Sequence, residues 1–532
     1  MDGQESKVTK TTVARAAWVV SGGMMISRVL GYVRQKAIAY NYGMGWKMDA
    51  YYGAFNIPDL LYFLVSGGAL SASFIPVFTG YLQRGEEDEA WKATSIVLNL
   101  MILVTTTGVA LGLIFAPYLV RVVQPGFHGT SPRTFELCVH LVRILYPMVI
   151  FTSIAALCNG ILHSFNHFTA PSLSWSIYNV AIIASAFLLS RHFGVDGLCY
   201  GVLAGAAGMV MIQAPVILKK GFRYHFSLDL KHPGAREILK LFVPAMFGLA
   251  ISQINLMLLP NFFGSFLGEG TVASLVYANR LLLLPLGVFG SALAMAVFPT
   301  VTRQAGAGDM DGYRNTLVKG IRMTFLFSLP STVVLFVMGL PVCRLLFQGG
   351  KFGYEDSRRT AIVLSFYAIG LIGHSSQQVI TRGFYALKDT KTPVRVGIVS
   401  VLLITVPLGL VSVYTPLSYR GIPLAVSLTT IANSAVLFVL LRKKIGRLDT
   451  TAVLTSLLKI AAAAGLMWAV CAVCRMAFEH VINPTTLSRV ALELAVVGGL
   501  GTAVFAGVVF GLRVPEASTV LNSFIGRLKR AG

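Results

Sequence analysis

The sequence predicts an all-α integral membrane protein of about 14 transmembrane helices. They form two six-helix bundles as parallel repeats, followed by a C-terminal helix pair. Three observations predict it. First, 55% of the 532 residues are apolar, only 12% are charged, and mean hydropathy is +0.71. A soluble domain carries roughly 25% charged residues. Second, the apolar runs are long and lack the alternating pattern of a membrane barrel, so the backbone must satisfy itself as helix. Third, glycines and prolines of the first half recur in the second half at a near-constant offset.

Length and hydropathy place the segments at roughly 13–41, 47–79, 94–120, 137–160, 170–190, 195–218, 237–263, 272–299, 314–340, 359–380, 393–414, 421–441, 452–474 and 487–511. The polar start MDGQESKVTKTT and the long first run read as a start-transfer helix, not a cleaved signal. The net charge of +22 reflects basic cytoplasmic loops, and no nucleic-acid partner is expected. With the N-terminus inside, inward segments hold roughly 27 basic residues and outward ones about 11, which orients both termini to the cytoplasm. One outward loop, 341–359, is basic against this rule: Arg344, Lys351, Arg358 and Arg359.

The repeat is read from particular residues. Gly67, Gly68 and Pro76 recur as Gly290, Ser291 and Pro299. Gly85 before its acids matches Gly308-Asp309, and Gly160 matches Gly383. Pro171 matches Pro393 and Gly197 matches Gly421, within one residue of the same offset. Six helices return the chain to the side it started from, so the two units are parallel. The expected division is 1–218, helices 1–6; 219–441, helices 7–12; and 442–532, the helix pair with a basic tail. Two facing six-helix bundles are the architecture of an alternating-access transporter.

Charge inside the apolar runs marks the candidate site. Arg28 lies in the first run, with Arg34 and Lys36 two turns on, and Asp49 opens the next segment. Such residues face a protein interior or a watery cavity, since lipid penalises them. Arg28 and Gln35 share a helix face, and Arg34 is turned about 120° away. Guanidinium forks bind phosphate oxygens and never lose their charge, so a diphosphate is the obvious partner. Arg280 heads an apolar run in the second half and joins the same set. Snorkelling at an interface is the competing reading for Arg34 and Lys36, a structural ion pair for Arg28, and a helix-end anchor for Arg280. Asp49 is a gate counter-ion or an N-cap. Gly67, Gly68, Pro76, Gly290 and Pro299 read as gating or hinge positions.

No P-loop, HExxH or histidine–cysteine cluster appears, so no enzyme activity, metal or cofactor is expected. The six cysteines are scattered. Cys471 and Cys474 form a CxxC inside an apolar helix, where a metal or redox role has no second half.

Ser27-Arg28-Val29-Leu30-Gly31, Arg34, Asp49-Ala50, Pro58, Leu60-Leu61, Gly68-Ala69 and Phe74-Ile75-Pro76 together resemble the MurJ (MviN) family. Tyr277, Ala278, Arg280, Pro285 and Gly287 add to the resemblance, as does Gly383-Phe384-Tyr385 with Asp389, Lys391, Thr392 and Pro393. It covers essentially the whole chain. It implies a bacterial inner-membrane flippase of the MOP exporter superfamily, moving lipid II, the undecaprenyl-diphosphate-linked peptidoglycan precursor. It also implies membrane lipids and cell-wall synthesis enzymes as partners. Arg28, Arg34 and Arg280 match the family's cavity arginines, and Asp49 its gate-region aspartate. The chain departs from the pattern where Tyr62 and Phe63 replace an arginine pair, Gly67 a glutamate, and Asn279 an aspartate. Helix seven carries no clear carboxylate, which argues against a sodium site there. The alternatives are another MOP-type exporter, of drugs or lipid-linked polysaccharide, and a non-transporting scaffold for cell-wall synthesis.

Overall fold

The computed structural model describes residues 22–518, apart from Met24 and residues 67–68, 254–258, 447 and 483–485. The chain ends, and with them the expected orientation of both termini, lie outside the described residues. So do Gly67 and Gly68, two of the expected hinge glycines. Every apolar segment read from the sequence falls on helix where it is described. The first is α1, residues 25–42. It is followed by α2 (Trp46–Ser66), α3 (Ala69–Gln83), α4 (Glu87–Val123), α5 (Pro125–Thr130), α6 (Pro132–Leu145), α7 (Met148–Ser164), α8 (Thr169–Leu188), α9 (Ser190–Phe193) and α10 (Val195–Lys219). Then come α11 (Pro233–Gln253), α12 (Leu259–Gly264), α13 (Thr271–Pro285), α14 (Ala292–Gly306), α15 (Met310–Val337) and α16 (Gly339–Phe347). The remainder are α17 (Tyr354–Ile369), α18 (Leu371–Ala386), α19 (Lys391–Ser400), α20 (Val406–Tyr414), α21 (Gly421–Ile445), α22 (Thr450–Ile482) and α23 (Leu487–Gly511). Among the described residues, 9 helical stretches are long and apolar enough to cross a membrane, or up to 10 with the bent pair α6 and α7 as one span. Fourteen is the number of apolar segments, not of established spans.

The chain forms two compact units: residues up to Val272 with Gly349–Phe352, and Ala273–Gln348 with the chain from Gly353 on. The packing division differs from the repeat boundary expected at 218. Helix α11 packs on α3, α2 and α4 and so belongs to the first unit. The connector before it is pinned along α4, which delivers α11 to that side. Helices α22 and α23 pack on each other, and α22 packs on α15, so the C-terminal pair is part of the second unit.

Backbone conformation carries the repeat more clearly than side chains do. Left-handed φ angles occur at Gly85 (75°) and Gly308 (74°), at Asn166 (54°) and Lys388 (60°), at Gly194 (58°) and Ser418 (46°), and at Gly221 (85°) and Gly446 (84°). The four pairs are offset by 223, 222, 224 and 225 residues. Each positive φ lies at a turn beside a helix end. The turn at Gly308 then leads into α15, whose N-cap Asp309 accepts the Gly312 N–H at 2.8 Å.

Two segments wind into π turns, Leu286–Ser291 and Val401–Thr405. The second precedes Pro407, which lacks the N–H an α turn would use. The first contains Gly290, where an added Cβ would lie 3.3 Å from the Ser375 backbone. Close approach to α18 thus explains that glycine. Pro76 and Pro299 lie inside α3 and α14 and are exposed.

Candidate functional site

Helix α1 presents its two arginines differently. Arg28 is exposed and Arg34 half-buried, with its guanidinium 5.9 Å from the centre of the Tyr178 ring. Among the described residues neither has a carboxylate within 4.0 Å. Gln35, on the Arg28 face, is buried and donates to the Tyr52 hydroxyl of α2. That bond fixes α1 on α2, and with it the direction in which the arginines leave the helix.

Asp49 stands in the first turn of α2 and is 3% exposed. Its carboxylate accepts the Gly270 N–H at 2.5 Å. Two turns on, Asn56 accepts from the Asn261 amide at 2.8 Å, and Gln124 fills the space over Gly53. A buried polar seam therefore ties α2 to residues 261–270, all within the first unit. The Asn56 and Gln124 amide nitrogens are buried without a hydrogen-bond partner among the described residues. Tyr62 and Phe63, which stand where the family pattern has arginines, meet edge to face at 5.6 Å. Arg280 lies in α13 of the second unit and is exposed, between the buried Ala278 and Leu281.

The second unit holds features that single residues in the sequence do not reveal. A cavity of about 590 Å³ opens between the π turn, α15 and the C-terminal helix pair. Phe289, Phe327, Val334, Met467, Phe505 and Phe510 line it. Phe289 and Phe327 stack at 4.8 Å on one side. In the sequence these residues read as ordinary lipid-facing positions. Two buried acids fasten the pair to α15. Glu516 pairs with Arg322 at 2.7 Å, an ion pair without an aligned hydrogen bond, and accepts from Ser456. Glu493, 1% exposed, lies 3.5 Å from Arg475, which donates to Val337 O at 2.6 Å and pairs with Glu479.

In the basic stretch 341–359, expected from the sequence to face outward, three of the four cations have side-chain contacts. Arg344 is buried in the short helix α16, bonded to Gln348 and lying over the Tyr354 ring. Arg358 meets Glu355, and Arg359 covers Tyr419. Among the described residues no three His, Cys, Asp or Glu side chains come together as a metal site would need.

The family model described as Lipid II flippase MurJ matches residues 38–490. The match includes Asp49 and Arg280 and begins after Arg28 and Arg34. A lipid II flippase MurJ of Burkholderia cenocepacia is 33% identical over 441 residues, 81% of this chain and 84% of that protein. A probable lipid II flippase MurJ of Vibrio cholerae is 31% identical over 79% of this chain and 81% of its own. Among solved structures, a lipid II flippase MurJ in an inward closed conformation aligns with TM-score 0.76 and 25% identity, covering 92% of this chain and 98% of that one. An inward-facing multidrug transporter of the MATE family aligns with TM-score 0.68 at 17% identity, over 82% and 99%, and shares the fold.

Proposed function

This chain belongs to the MurJ family of lipid II flippases, and from that premise we propose that it moves lipid II from the cytoplasmic to the outer leaflet of the bacterial inner membrane by alternating access. The observation that carries the reading is the pair of arginines on α1, which have no carboxylate beside them among the described residues. Arginines set in a membrane helix without a carboxylate beside them need another anion. A diphosphate with about two negative charges supplies it through charge-assisted bonds that suit a guanidinium fork. Arg28, Arg34 and Arg280 take the diphosphate. Asp49 acts through the Gly270 N–H and holds the start of α2 in place. The polyprenyl tail lies in the apolar cavity beside α22 and α23, whose aromatic lining suits an isoprenoid chain.

The repeated left-handed turns support two parallel six-helix bundles, since the same backbone turn recurs at the same place in each half. The basic inward loops support a cytoplasmic location for both termini. A drug exporter for cations would set a carboxylate free in its cavity; the buried acids here, Asp49, Glu493 and Glu516, are each engaged.

The test is complementation in cells depleted of their own flippase. Arg28→Ala, Arg34→Ala and Arg280→Ala are each expected to abolish growth at normal expression, and Lys to restore it in part. Growth of all three alanine variants at the wild-type level would overturn the diphosphate assignment. Separately, Ser227→Cys is expected to resist an impermeant thiol reagent applied outside intact cells; efficient labelling there would overturn the orientation.

A further inference from the structure

The segment joining α10 to α11 is not helical. Residues 222–229 have no regular secondary structure, and the segment is held along α4. Phe222 meets Trp91 edge to face at 5.3 Å, the His225 N–H bonds Ser95 at 3.1 Å, and Ser227 O accepts from Asn99 at 2.9 Å. From Trp91 to Asn99 is about 12 Å along the helix axis. The segment therefore climbs α4 from its acidic first turn into its apolar stretch, and His232 returns to Glu89 at 3.0 Å. Ser95 and Asn99 are buried polar residues in a membrane helix. Their partners are backbone atoms of this segment and, for Asn99, also the Tyr224 hydroxyl, which donates to it at 2.7 Å; polar groups at membrane depth must be satisfied by protein.

Tyr224, Phe226, Leu228 and Leu230 are nevertheless exposed by 52%, 85%, 48% and 50%, Tyr224 by its ring while its hydroxyl donates to Asn99 of α4 at 2.7 Å. Lys219, Lys220 and Lys231 flank them, with Arg236 and Lys240 just beyond, all exposed. The acids of α4 that face this segment are taken: Asp88 by Arg223, and Glu89 by Lys92 and His232. Asp229 accepts the Lys231 N–H, and Glu237 is the other exposed acid in the segment's neighbourhood. The balance is an apolar strip with a cationic rim.

We propose that residues 222–230 form an interfacial wedge that seats Tyr224, Phe226, Leu228 and Leu230 at the headgroup–acyl boundary and holds anionic phospholipid with the surrounding lysines. Apolar residues beside a basic cluster are the composition that binds an anionic leaflet, each Lys or Arg adding attraction to the surface. Under the topology proposed above that leaflet is the cytoplasmic one, but the contact itself does not depend on which way the protein faces.

The experiment uses the full chain in vesicles of phosphatidylcholine, with or without phosphatidylglycerol. Nitroxide labels are placed at Phe226→Cys and Asp229→Cys, and the parental protein gives the background from its own cysteines, five of which are buried. The expected result is a severalfold higher ratio of oxygen to nickel-chelate collisions at 226 than at 229, rising further when phosphatidylglycerol is present. That rise is lost in Lys219→Gln/Lys220→Gln/Lys231→Gln. A label at 226 reached by the nickel chelate in both vesicles overturns the wedge. A label shielded from both reagents means that protein covers the strip, and also overturns it. Depth at 226 that does not change with phosphatidylglycerol overturns the role given to the lysines.

Discussion

Two pairs of arginines in this molecule sit among apolar helices and are treated in opposite ways. Arg322 and Arg475, in α15 and α22, each meet a buried glutamate, Glu516 and Glu493. Arg28 and Arg34, on α1, meet none among the described residues. The first arrangement suits a cation that serves the fold: taking a guanidinium out of water is offset only if a counter-charge and hydrogen bonds come with it. The second suits a cation whose counter-charge arrives with a ligand. Residue type is the same in both regions; the difference among the described residues is a built-in acid.

The largest effect should come from breaking the unpaired set. A charge-assisted hydrogen bond is worth about 1.5–3 kcal/mol, so losing Arg28 or Arg34 should weaken anion binding roughly 10- to 100-fold. Flipping should fail while thermal stability of the purified protein stays at the wild-type value. An alanine variant that melts early would move that arginine into the structural class.

The paired set should behave the other way. Arg322→Ala leaves Glu516 buried with only Ser456, and Glu516→Ala strands the arginine. Either should cost about 3–5 kcal/mol. The double change Arg322→Met/Glu516→Leu should recover most of that stability, because an apolar pair of similar volume removes both buried charges together. Failure of the double variant to recover would mean that the pair contributes more than mutual neutralisation. Arg475→Ala should cost less, about 1–3 kcal/mol, because Arg475 is partly exposed and Glu493 is held at the longer distance of 3.5 Å. Melting curves of Glu493→Gln beside Arg475→Ala would separate loss of the ion pair from loss of the bond to Val337 O.

This contrast was half legible in the sequence. Arg28 stood out because charge inside an apolar run is rare, and the Gly85/Gly308 turn stood out because a glycine before polar residues recurs at a fixed offset. The acids of the C-terminal pair did not stand out as partners, since nothing local links Glu516 to Arg322. The apolar cavity was also hidden. Phe289, Phe327 and Phe505 face a groove only because the π turn and α23 bring them together, and a residue facing a groove has the same hydropathy as one facing lipid. The division at Val272 could not be read from the spacing of glycines and prolines, which says nothing of how α11 packs.

The smallest expected effect belongs to a third kind of charge, paired but near water. Asp389 lies in the turn between α18 and α19, where it accepts the Thr392 N–H at 3.0 Å and the Thr392 hydroxyl at 2.8 Å and meets Lys444 at 2.5 Å. Partial burial works to raise its carboxyl, but Lys444 and the two Thr392 bonds outweigh it and hold the group down at about 2, below the ordinary 3.8. A carboxyl depressed by folding stabilises the fold above its unfolded value and loses that contribution as pH falls through the folded one. Asp389→Asn keeps the bond to Thr392 N–H and removes the charge, so it should cost no more than about 1 kcal/mol at neutral pH, as exposed ion pairs do. The gap between the two melting temperatures should stay constant from neutral pH down to about 5 and close between about 4 and 2. Asp389→Ala, which also removes the cap, should add about 1 kcal/mol at every pH. If wild type and Asp389→Asn melt together at neutral pH, the Lys444 contact contributes nothing measurable. The ordering would then have a floor: among the charges of this protein, only those removed from water and given an acid would hold the fold together.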